Sequence, residues 1–170
     1  SKYYRTYHMI FIFFFFSVSD TSIAWERILE IAKHSNKIST NDCIHCVSIE
    51  QVLENMKLND VQIVLLGYDW LLENSIGNNT IKETIAKIKK EGSVGLNKIV
   101  IALQKNLSLM KRDSMTEKEY ILKRRLDEIK GVENVDIFNY LQDAINALRN
   151  FLNGKEFSST SQELENQSVH

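Results

Sequence analysis

The chain has 170 residues, enough for one ordinary domain with a sizeable core, and its 44% apolar and 25% charged residues are the proportions of a globular protein. A net charge of −1 at pH 7 gives no global attraction to nucleic acid or to acidic membranes. There is no proline, so no sharp helix stop or rigid turn is supplied that way.

The charge is unevenly spread. Residues 98–130 hold nine Lys or Arg against five acids, and residues 131–170 hold two against six. Such asymmetry describes two solvated faces or, less commonly, a partner-docking surface.

Residues 1–7 read as a short polar and aromatic arm. Residues 9–16 (MIFIFFFF) come next, eight apolar residues without a polar break. A run of this kind has no outer face, so it must be buried on both sides, as a central strand of a parallel sheet is. It falls well short of the ~20 residues that span a bilayer. A secretory signal is the competing reading, with Lys2 and Arg5 ahead of the apolar run and Ser17-Val18-Ser19 as a small-residue cleavage site. The strand reading is preferred because the later segments supply too few strands for the helices that must cover them.

The Ser/Asp/Thr-rich loop 17–22 leads into a helix over about 23–33, and 34–42 is a polar loop. Residues 43–47 form a short strand. Ser48 to Gln51 is a capping box for a helix bearing Ile49, Val52, Leu53 and Met56 on one side. Residues 61–66 are a third strand, closed by Gly67, and 67–80 are a long connection. Thr80 to Glu83 opens a helix that Gly92 caps. Residues 98–103 are a fourth strand and 104–115 a second long connection. Thr116 to Glu119 caps a helix running to Gly131, and 132–138 are a weaker fifth strand. A final helix carries Leu141, Ala144, Ile145, Leu148 and Leu152 on one face and stops at Gly154. Residues 154–170 read as a disordered polar tail.

Strand and helix thus alternate five times. Right-handed crossovers predict an α/β domain over residues 8–153, a doubly wound five-stranded parallel sheet in the order 2-1-3-4-5 with helices on both faces.

In element order and spacing the chain resembles the receiver domain of bacterial response regulators, a flavodoxin-like family. VQIVLLGYDWL is similar to the third strand of receivers and its loop, TIKETIAKIKKEG with KIVIAL to the next helix and strand, and GVENVDIFNYLQDAINALRNFL to the closing segment. The resemblance implies acidic Mg²⁺ ligands after the first strand, a phosphoacceptor aspartate ending the third, a Thr or Ser after the fourth, and a Lys after the fifth. Here the first strand is followed by Ser17, Val18 and Ser19, with Asp20 alone within reach. Gly67 stands at the acceptor position and Asp69 two residues later; Ala102 or Leu103 replaces the hydroxyl residue and Phe138 the lysine. Mg²⁺ binding and phosphoryl transfer both need that charge, so the pattern is a degenerate pseudo-receiver, with no catalytic residues, metal or cofactor expected. An atypical phosphoacceptor site using Asp69 is the enzymatic alternative.

Other chemistry is weakly supported. Cys43 and Cys46 form a lone CxxC; zinc would need a second pair, and an odd spacing within a strand sends the two thiols to opposite faces. With two cysteines, a reducing, cytoplasmic setting is the default. A IIB-type sugar-transport phosphocarrier would need Cys where Ser17 stands. A TIR-like nucleotide-processing domain would draw on Glu73, but no distinctive motif supports it. The basic segment Lys123-Arg124-Arg125, with Lys118 and Lys130, is offset by Asp127 and Glu128 at helical pairing distance, so no nucleic-acid partner is expected. The two long connections carry Tyr68, Trp70, Leu71 and Leu72 on one side and Leu107, Leu109 and Met110 on the other. Apolar rim residues either mark a protein-binding surface or fold back over the sheet edge. The expected function is a non-catalytic interaction or regulatory module with a protein partner, a homodimer being one form of it, and with no membrane association.

Overall fold

Strands and helices alternate along the chain as β1 (Phe11–Phe15), α1 (Thr21–His34), β2 (Cys43–Cys46), α2 (Ile49–Leu58), β3 (Val61–Leu66), α3 (Tyr68–Asn74), α4 (Ile81–Glu91), β4 (Lys98–Ala102), α5 (Glu117–Asp127), β5 (Val135–Phe138) and α6 (Leu141–Leu152). The structure is a computed structural model and describes residues 11–15, 21–35, 39–58, 61–75, 77, 80–92 and 95–155, with backbone alone for 11–15 and 21–25. The expected arm 1–7, Asp20 with the loop around it, and tail residues 156–170 lie outside the described residues. The molecule is an α/β protein built on a parallel sheet. Its strands pair in the order β2-β1-β3-β4-β5.

Side chains alternate across this sheet into two apolar clusters. Val64, Leu66, Ile99 and Ile101 face the layer of α2, α3, α4 and α5. Ile63, Leu65, Val100 and Ala102 face α1 and α6. Both central strands are therefore buried twice over, which is why their sequences carry almost no polar residue. One irregularity interrupts the alternation. The β1–β3 register steps from Phe11↔Val61 to Ile12↔Ile63, so Gln62 is bulged out of the ladder. The bulge puts Val61 on the same side as Val64, three residues on.

Several expected boundaries shift for local reasons. The connection after β3 is half helix: Gly67 is extended (φ −81, ψ 157), its carbonyl accepts from Leu71 N at 3.0 Å, and Tyr68 and Leu71 point inward. The connection after β4 is coiled into two 3₁₀ turns, Leu107–Leu109 and Arg112–Ser114. α5 ends at Asp127 rather than Gly131, and β5 begins at Val135 rather than Val132. Gly131 (φ 80) and Asn134 (φ 63) occupy the left-handed region, which neither helix nor strand can include.

The caps also differ in detail. Ser48 Oγ accepts from Gln51 N at 3.2 Å, but the Gln51 side chain reaches Val47 N rather than Ser48 N. Gly92 ends α4 with φ −96, so its smallness serves packing instead of a left-handed turn: a Cβ there would meet Met56 Cε at 2.5 Å and Leu96 Cβ at 3.0 Å. Among the described residues, no helix is long and apolar enough to cross a membrane.

Among the described residues Phe138 is the largest fully buried side chain, and it closes the α1–α6 layer at the end of β5. Phe138→Ala should cost about 3–5 kcal/mol in urea unfolding, from lost transfer energy and the cavity left behind.

Candidate functional site at the carboxyl edge of the sheet

In open parallel α/β sheets, ligand sites form outside the carboxyl ends of the strands. The elements at that edge here are Gly67 and α3 after β3, Leu103 to Met115 after β4, and Asn139-Tyr140 after β5. The first two converge, with the start of α5, on one buried acid. Glu119 sits in the first turn of α5 and is 3% exposed. Its Oε1 accepts the Thr116 backbone N–H at 2.9 Å, while Thr116 Oγ1 accepts the Glu119 N–H at 3.1 Å, a complete capping box. Its Oε2 accepts from Tyr68 OH at 3.0 Å and from Lys105 Nζ at 3.0 Å. One carboxylate thus ties the start of α3, the loop after β4 and the start of α5.

The electrostatics follow from that geometry. The Thr116 N–H and then the Lys105 ammonium favour the charged form, so the Glu119 carboxyl is held down to about 2 despite its burial. Burial, and then the bond to this carboxylate, raise the Tyr68 hydroxyl well above its ordinary value. Tyr68 therefore stays protonated as a donor and Glu119 stays ionised as an acceptor. Lys105 is half exposed, with a side chain 53% accessible, and bridges this buried pair to solvent.

The residues singled out at the rim are divided by this arrangement. Tyr68, Leu71 and Leu107 are interior, at 6%, 0% and 2% exposure, and pack in the α2–α5 core cluster. For these three the surface expectation is corrected: helix α3 and the 3₁₀ turn at Leu107 rotate them inward. Trp70, Leu72 and Met110 are half-buried against the same cluster, and Leu109 projects into solvent at 81%. Trp70 also lines, with Ile49, Asn74, Thr84 and Lys87, a cavity of about 210 Å³.

At the degenerate positions, Gly67 is buried as the residue before α3, and Ala102 and Phe138 are register partners on β4 and β5, both sealed in the core. Asp69 lies half-buried in the first turn of α3. Gly67, Ala102 and Phe138 bring no side-chain oxygen. Among the described residues no three His, Cys, Asp or Glu come together as metal ligands. Glu73 is exposed and accepts from Lys118 Nζ at 2.7 Å.

Cys43 and Cys46 face opposite clusters, and burial pushes their thiols up to about 12 and about 11. Both are buried and stay in the thiol form at neutral pH. The basic helix pairs internally at i,i+3, Arg125 with Glu128 and Lys130 with Asp127, rather than at i,i+4.

Glu119 was visible in the sequence as a cap and not as a junction. The missed signal is its phase: Glu119, Leu122 and Leu126 share one helical stripe, and all three are buried.

Glu119→Ala should cost about 2–4 kcal/mol, since it removes the cap and strands the buried Tyr68 hydroxyl. Tyr68→Phe should cost about 1 kcal/mol, and Lys105→Ala less, because its ammonium returns to water. The folded-state value of Glu119 lies below its ordinary 4.5, so its stabilisation is complete above that pH and fades as pH falls towards about 2. The stability gap between wild type and Glu119→Gln, measured by urea unfolding, should therefore be widest near pH 6 and narrow below pH 4.5. Compared with known proteins, the chain matches no family model, no curated protein and no solved structure.

Proposed function

We propose that the chain is a non-catalytic, receiver-like interaction module of the doubly wound, flavodoxin-like kind, with strand order 2-1-3-4-5, and that it engages a protein partner at the carboxyl edge of its sheet. The observation that carries this reading is the replacement of charge by apolar packing where receiver chemistry would sit. Gly67, Ala102 and Phe138 are buried, and the buried acid of this edge, Glu119, is committed to Thr116, Tyr68 and Lys105. Apolar packing at these positions suits recognition better than phosphoryl transfer.

The distribution of exposed apolar residues supports the same edge. Among the described residues Val47, Leu58, Leu109 and Tyr140 are the large exposed ones, and three of them, Val47, Leu109 and Tyr140, come after the carboxyl ends of β2, β4 and β5. Leu109 and half-buried Met110, with the Trp70-lined cavity, form the surface assigned to the partner; a second copy of the chain is one such partner.

Incubation with Mg²⁺ and acetyl phosphate, or with beryllofluoride, should leave the intact mass and the NMR spectrum unchanged. A phosphate adduct that disappears in Asp69→Asn would overturn the non-catalytic reading in favour of a phosphoacceptor. Leu109→Asp and Trp70→Ala should each weaken capture of partner by about tenfold or more with the melting temperature maintained. Capture that is unchanged in both variants would remove this edge as the docking surface.

A further inference from the structure

The sheet face away from the α2–α5 layer carries a second feature. Helices α1 and α6 share one apolar cluster on that face, and between them runs an open groove of about 360 Å³. That volume lies within the range of about 300–1,000 Å³ typical of small-molecule sites. Helical period aligns its lining in two matching stripes. Arg27, Ile31 and His34 follow one another at i, i+4 and i+7 on α1, and Ile145, Arg149 and Leu152 at the same spacing on α6. Ile31, Ile145 and Leu152 are buried and form an apolar floor. Each helix adds one guanidinium to it.

Neither guanidinium is matched by an acid. Arg112 and Arg125 pair with Glu117 and Glu128, whereas among the described residues Arg27 and Arg149 have no ion-pair partner. The acid of the groove, Glu30, is engaged by His34 Nε2 at 2.9 Å. Two arginines against one glutamate leave the groove at net +1 with His34 neutral. An apolar floor beside unmatched guanidiniums is complementary to a molecule with a hydrocarbon body and one anionic end. Guanidinium binds carboxylate through a planar fork of two N–H donors. The volume decides between a small molecule and a docked helix. At roughly 30 Å³ per non-hydrogen atom the groove holds about a dozen atoms. A single turn of peptide helix, about 10–12 Å across, already sweeps roughly 500 Å³.

We infer that the α1–α6 groove is a binding site for a small amphiphilic carboxylate, its hydrocarbon body on Ile31, Ile145 and Leu152 and its carboxylate held by Arg27 and Arg149. Such a ligand bridges two helices distant in sequence and stabilises the layer that they form. This inference stands apart from the reading of the carboxyl edge, which involves none of these residues.

The test is a titration of the ¹⁵N-labelled full chain with octanoate, a probe close to the size of the groove, kept below its micelle-forming concentration. Saturable shifts are expected at the amides of Ile31, Ile145 and Leu152, with a Kd on the order of 1 mM that weakens as salt rises. Octanol has the same body without the charge, and acetate the charge without the body; each should bind about tenfold more weakly or worse. Arg27→Gln, at a half-buried position, should weaken octanoate by about five- to tenfold, and Arg149→Gln, at an exposed one, by about two- to fivefold. Both variants should bind octanol as the parent does, which separates loss of the charge contact from damage to the floor. Shifts that map elsewhere or do not saturate, octanol binding as tightly as octanoate, or octanoate affinity indifferent to both substitutions would each overturn the inference.

Discussion

A buried carboxylate sets the shape of the carboxyl edge. Removing Glu119 from water is costly unless its lone pairs are filled, and the chain fills them with the Thr116 N–H, the Tyr68 hydroxyl and the Lys105 ammonium. Each donor comes from a different segment, so satisfying one charge fixes three pieces of backbone together. The burial of Leu71 and Leu107 is a consequence, because the segments that carry them are pinned on either side of this junction. Two connections that would otherwise be open loops become part of the core.

Beneath that junction the sheet is symmetrical in its demands. β3 and β4 bury both faces, and each layer of helices contributes its own apolar cluster. The Gln62 bulge shows how closely this is adjusted. By stepping the register once, it lets Val61 join the α2–α5 cluster while Ile63 and Leu65 serve the other.

Much of this architecture was legible in the sequence. The strand at 61–66 and the core stripe of α6 are dictated by hydrophobic period, and the Thr116 cap by residue type at fixed spacing. The opposite facing of Cys43 and Cys46 follows from strand parity alone. The features that escaped were non-local. Tyr68 and Trp70 look equally suited to a surface, and only the distant Glu119, 51 residues from Tyr68, decides that Tyr68 turns inward. Lys105 carries no local mark of its pairing with an acid 14 residues away. The left-handed Asn134 and the Gln62 bulge are likewise set by how neighbouring strands must meet, which no single window records.

The parity of the two cysteines has a further consequence. Because Cys43 sits under α1 and α6 while Cys46 sits under α2 to α5, each thiol is shielded by a different helical layer. Their rates of modification by a thiol reagent report the opening of the two layers separately, one chain carrying a native sensor for each half of its core. Equal rates would describe a molecule that opens as one cooperative unit, and unequal rates would identify which layer detaches first.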